Sequence, residues 1–251
     1  MAPKARKTKQ KTKPYEGLSD LKGSRLSKQL REIESSLKNA TKASDVSGFA
    51  TLLSELRKDQ LLKSDKKEIK YLMGSIGVEI FRLNDGMDFS DEESREWIGL
   101  ILKSIRILEN SKERSNYDRS LQMYNTLYDS PVLQVLVNVD ECCELSNELV
   151  NIIMGVWCNQ SIEDVDDISM RLMLSLLSLY KRIPNELLDL LSMKLIKEEE
   201  KKQMREVFIA GRSYLSGSVQ QFYMNLLCES SLSESCYDCS EHVVIMIDVD
   251  D

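Results

Sequence analysis

The residues that could do chemistry are few, and most lie toward the C-terminus. His242 is the single histidine in 251 residues, and a Ser-His or Cys-His dyad would need it held in a built pocket. Cys236, Cys239 and His242 follow one another at intervals of three, a spacing that resembles half a zinc site. Structural zinc takes four ligands, and no second cysteine pair has matching spacing. Chance spacing in an acidic tail is the simpler reading, so neither a metal nor another cofactor is expected. Cys142, Cys143, Cys158 and Cys228 read as reduced thiols, not as a disulfide framework. Gly74 and Gly77 form no phosphate-binding loop. They lie within a helical pattern, where their expected role is close helix packing. The acids Glu163, Asp164, Asp166 and Asp167 read as charges favoured at a helix start. Catalysis is therefore not expected, and an enzyme would need a polar cleft that no motif announces.

The clearest charged feature is at the other end. Lys4, Arg6, Lys7, Lys9, Lys11 and Lys13 put six positive charges into the first 15 residues, with no acid among them. Such an arm suits nuclear import or weak contact with DNA phosphates through residues 1–15, and a merely solvated tail is the third reading. After Arg212 the chain has no Lys or Arg but seven acids. The net charge of −7 thus hides a basic arm and an acidic tail. The longest apolar run near the C-terminus, Val243–Ile247, is five residues, far short of the roughly 18 that a membrane span needs. No membrane partner is expected.

The elements that would position these residues are helices. Only 10 Gly and 4 Pro interrupt the chain, which favours long helices over many short strands. Residues 1–24 combine charge, Pro and Gly with little to bury, and are expected to be disordered. From Arg25 onward Leu26, Leu30, Ile33 and Leu37 share a face. A second helix is expected over about 44–62, capped by Ser44-Asp45. Ile69, Leu72, Met73, Ile76, Ile80 and Phe81 mark a third, ending at the Asn84-Asp85-Gly86 turn signal. Ser90 with Glu93 reads as a capping box for the next. Ser130-Pro131 reads as an N-cap followed by a first-turn proline. Further helices are expected at about 115–129, 141–157, 164–182 and from Asn185. Two weaker ones follow, at about 199–215 and 217–228. Helix pairs begin near 65, 115 and 163, a spacing in the range of HEAT and armadillo repeats. No pair can cover its own apolar stripes, so neighbouring pairs must stack. The expected architecture is an all-α, HEAT/armadillo-like helical-repeat solenoid over 25–228, with a disordered basic arm over 1–24. Residues 229–251 form an acidic tail or a truncated next helix.

Four segments carry a family resemblance. Glu68-Ile69-Lys70-Tyr71-Leu72 leads to Glu79-Ile80-Phe81-Arg82-Leu83. Ile101 to Ile105 leads to Leu108-Glu109-Asn110. Asn116-Tyr117-Asp118-Arg119 runs to Leu127, and Asn185-Glu186-Leu187-Leu188-Asp189 opens the return helix. In order and spacing these resemble the N-terminal HEAT-repeat section of the precocious-dissociation-of-sisters family, the cohesin-associated regulators of sister chromatid cohesion. The resemblance covers about 25–240. It implies a non-catalytic, protein-binding scaffold on chromatin in the nucleus. The implied partners are cohesin subunits (SMC or kleisin) or the cohesin release factor. It also implies a partner-docking loop after the phenylalanine-arginine helix, which points here to Arg82, Asn84, Asp85, Met87 and Phe89. The family's alanine-proline-rich loop is replaced by Asn84 to Phe89. The missing prolines remove a loop set before binding and so raise its ordering cost. Family members are several times longer, so the chain is expected to be a reduced version, a fragment or a piece completed by a partner. A generic HEAT-type adaptor in nuclear transport or ribosome assembly is the alternative.

Overall fold

The computed structural model describes residues 15–84, 89–109, 116–159 and 163–196, together with Lys202, Gln203, Glu206 and Val207. Ten α-helices and no strand occur among the described residues. They are α1 (Gly23–Asn39), α2 (Phe49–Leu56), α3 (Asp59–Leu62), α4 (Lys67–Asn84) and α5 (Asp91–Ile105). Then come α6 (Tyr117–Tyr128), α7 (Val132–Val139), α8 (Glu144–Asn159), α9 (Glu163–Ser178) and α10 (Asn185–Ile196).

The centre of the stack is α4. Every residue from Tyr71 to Phe81 is buried, because α1, α5 and α6 all pack on it. Paired contacts set the directions. Ser27 meets Glu68, Glu34 meets Ser75, and the carbonyls of Leu37 and Ala40 meet Arg82, so α1 and α4 run parallel. Gly74 lies against Ser104 and Gly77 against Trp97, so α4 and α5 run antiparallel. The two glycines have the expected packing role. A Cβ on Gly77 would sit 2.7 Å from the Trp97 ring, and one on Gly74 would run into the Ser104 hydroxyl. Further along, α5 packs on α7 and α8, α6 on α9, and α8 on α9 and α10. The apolar stripes read from the sequence all face this shared core: Leu30, Ile33 and Leu37, then Trp97, Ile101 and Ile105, then Leu149, Ile152 and Ile153. Each such side chain contributes about 1.5–3 kcal/mol once covered.

Local signals behave unevenly. The capping box at Ser90 forms as expected: Ser90 Oγ accepts from the Glu93 N–H at 3.3 Å, and the Ser90 N–H donates to Glu93 Oε2 at 2.9 Å. The single helix expected over 44–62 is instead a 3-10 turn at Ala43–Asp45 followed by α2 and α3. Asp45 caps that turn, not a helix, taking hydrogen bonds from the Thr41 N–H and hydroxyl and from the Lys42 N–H. Gly48 then adopts φ 75° and redirects the chain into α2. Ser130 does not cap α7. Its hydroxyl donates back to the Leu127 carbonyl at 3.1 Å, and Pro131 holds the cap position with φ −71°. Residues 15–22, assigned to the arm by composition, pack against the body: Leu18 is buried, and the Ser19 N–H and hydroxyl both donate to Glu55 at 3.2 Å. At the α7–α8 turn Cys143 takes φ 56°. Asp140 accepts from the N–H groups of Leu145 and Ser146 and from the Ser146 hydroxyl. Tyr180 lies 2.6 Å from that hydroxyl, and burial pushes its phenol up to about 12.

The helices expected over 199–215 and 217–228 lie largely outside the described residues, where 202–203 and 206–207 are helical. Among the described residues no helix is long and apolar enough to cross a membrane.

Candidate partner-binding site

The rim where α4 ends and α5 begins is the place that the sequence singled out. Arg82 does not stand free there. Its Nε donates to Glu79 Oε2 at 2.7 Å, and one terminal nitrogen donates to the carbonyls of Leu37 and Ala40 at 2.9 and 3.0 Å. Those carbonyls belong to the last turn of α1 and to the residue that caps it, where intrahelical donors run out. Arg82 therefore ties the end of α1 to the end of α4. Phe89, the far root of the same loop, is half-buried. Its ring tilts against Phe81 at 5.4 Å and Trp97 at 6.2 Å between centroids. The Arg57 guanidinium lies over it at 4.9 Å and pairs with Glu93 at 3.2 Å. Asn84 closes α4. Asp85 and Met87 lie outside the described residues, as do Lys4, Arg6, Lys7, Lys9, Lys11 and Lys13.

The structure thus brings Arg57, Phe89 and Glu93 together at one edge, with Arg82 bracing the neighbouring helix ends. Arg57 and Glu93 were not singled out as site residues. Glu93 was visible only as a cap, and nothing in the sequence ties Arg57 to a ring 32 positions away. An aromatic ring clasped by a guanidinium at a surface rim is suited to recognising protein chains, since aromatics and Arg dominate binding hot spots.

A second polar cluster lies deeper. Glu34 Oε1 accepts from Ser75 Oγ at 2.6 Å, Lys38 Nζ at 2.9 Å and Arg119 Nε at 3.2 Å, joining α1, α4 and α6. Lys38 Nζ also reaches Gln122 Oε1 at 2.7 Å. Burial works against the carboxylate, but the Ser75 and Lys38 hydrogen bonds and the two cations outweigh it and hold its pKa below the usual value. Among the described residues no group of three or more His, Cys, Asp or Glu side chains could hold a metal. Cys142 is exposed, Cys143 buried and Cys158 half-buried, and none of the three is in a disulfide among the described residues. Cys236, Cys239 and His242 lie outside the described residues.

Comparison with known proteins agrees with this helical reading. Residues 24–247 match the family described as Sister chromatid cohesion protein PDS5 protein. Among solved structures the chain is similar to one from the Pds5–Scc1 complex, with a TM-score of 0.62 at 13% identity. The match covers 86% of this chain and 34% of the other, so this chain spans about a third of that protein's length. The likeness shows the shared helical-repeat fold. No curated protein matches the sequence.

Proposed function

The chain belongs to the PDS5 family of sister chromatid cohesion proteins, and from that premise we propose that it regulates cohesion as a non-catalytic scaffold on chromatin in the nucleus. In this reading it holds cohesin subunits (SMC or kleisin), or the cohesin release factor, on its helical surface. The observation that carries the reading is the family match over 24–247. Support comes from the relative of shared fold, whose structure was solved as a complex with Scc1. The docking edge we assign is the α4–α5 rim. Phe89 and Arg57 present the contact, Arg82 braces the end of α4, Asn84 ends that helix, and Asp85 and Met87 follow it in sequence.

Tagged chain recovered from dividing cells tests this. SMC and kleisin subunits are expected in the recovered material, with reduced amounts for Phe89→Ala. Recovery of transport or ribosome-assembly factors without any cohesin subunit would replace the cohesin reading with the adaptor one.

A further inference from the structure

Charge is segregated along this chain: residues 1–15 supply +6, and residues 16–70, with 12 Lys and Arg against nine Asp and Glu, add +3. The first 70 residues hold 18 Lys and Arg against nine Asp and Glu, a net of +9, while the remaining 181 hold 16 against 32, a net of −16. The fold gathers part of that excess at one place. A groove of about 660 Å³ runs between the first halves of the parallel helices α1 and α4. Lys28 and Arg31 reach it from α1, and Lys66 from the residue just before α4.

Two acids, Glu32 and Glu68, share the lining with these three cations and leave it a net charge of +1, carried by the two lysines. Glu68 is occupied: it accepts from Ser27 Oγ at 3.2 Å and pairs with Arg31 at 2.6 Å. Lys28 and Lys66 are both exposed and make no ion pair within 4 Å among the described residues, and neither does Glu32, the other acid on the lining. The hydroxyls of Ser24 and Ser35 stand on the same lining. Ser24, Lys28, Arg31 and Ser35 recur every three or four residues, so they form one stripe along α1 with neighbours about 5–6 Å apart. Lys22 and Arg25, both exposed, extend the positive charge toward the residues that precede α1.

We propose that this groove is a phosphate-backbone binding surface for duplex DNA, built on the folded body of the protein and not on its N-terminal arm. The chemistry distinguishes DNA from an acidic protein segment. Protein recognition needs apolar or aromatic anchors inserted into pockets. Here Ile69 is the one apolar side chain on the lining. Phosphate contacts need only cations and hydroxyls at repeating intervals, and they fix position without reading sequence. Binding is therefore sequence-independent and strongly salt-dependent.

The test uses the full chain and a fluorescent 30-base-pair duplex, with anisotropy read across a salt series. Replacing both lysines (Lys28→Gln with Lys66→Gln) should weaken binding roughly tenfold and lower the slope of log affinity against log salt by about two. Lys28→Arg with Lys66→Arg should retain both values, because charge and not shape is at work. Lys181→Gln with Arg182→Gln, two exposed cations in the turn after α9, should change neither. Both lysines are exposed, and unchanged circular dichroism and melting confirm that each variant is folded. An affinity and slope indifferent to the Lys28 and Lys66 changes would overturn the proposal. So would polyglutamate displacing the duplex as well as unlabelled DNA does at equal charge, which would assign the groove to an acidic protein. The assay contains no cohesin subunit, so its failure leaves the family-based reading standing.

Discussion

Glu34 and Phe89 sit at two junctions of the same helix, α4, and do opposite things there. Glu34 joins three helices near the middle of α4, its Oε1 accepting from Ser75, Lys38 and Arg119. Phe89 follows the end of α4 and is covered by Phe81 and Trp97 on one side and an arginine on the other, while staying half-exposed. The first arrangement ties three helices together and sets how the repeats stack. The second keeps an aromatic surface and a charge pair at the rim, where a partner can add contacts without dismantling the core. A repeat protein needs both, because surfaces can be spent on binding only where stacking does not depend on them.

The largest effect expected to sharpen this contrast is at Glu34. Glu34→Ala leaves the Ser75 hydroxyl and two cations without their shared acceptor, and should lower the unfolding free energy by about 3 kcal/mol. Denaturant titration reads it, and a loss below about 1 kcal/mol would mean that water replaces the carboxylate easily. The same residue carries a pH signature. Its native pKa lies below 4.5, so its stabilisation is fully present above about pH 4.5 and is lost as pH falls through the lower native value. Glu34→Gln should therefore show a shallower loss of melting temperature on acidification than the parent chain.

Phe89→Ala comes next. It removes a half-buried ring from Phe81, Trp97 and Arg57, and should cost about 2 kcal/mol while reducing recovery of cohesin subunits by more than that instability explains. Equal recovery by folded Phe89→Ala would move partner binding elsewhere on the surface. The smallest effect is at Ser90, where Ser90→Ala removes one side-chain cap and should cost about 1 kcal/mol with partner recovery unchanged. A larger loss would show that the start of α5 also fixes the loop before it.

Much of the framework is legible in the sequence. The stripe Leu26, Leu30, Ile33, Leu37, the helix opened by Ser90 and Glu93, and the packing role of Gly74 and Gly77 all follow from intervals of three or four residues. The break of the expected 44–62 helix was less legible. It depends on Asp45 capping its own short turn, on Gly48 entering the left-handed region, and on Lys58 reaching Ser19 39 positions earlier at 3.0 Å as well as Glu55. The candidate rim was half legible. Phe89 and Arg82 are named from the family resemblance, and only the fold shows that the Arg82 guanidinium is hydrogen-bonded to the end of α1.

What the sequence alone determined is most of the helices (the stretch 44–62 excepted), their apolar faces and the charge asymmetry along the chain, because helix formation and patterning depend on contacts within one or two turns. The tertiary structure decided what the polar residues on those helices do. Glu34 finds its partners 41 and 85 positions away, and Arg82 finds acceptors 42 and 45 positions away. Whether such a charge is consumed in the stack or left at a rim or groove is set by burial and by which helices meet, and neither is encoded within a single helical turn.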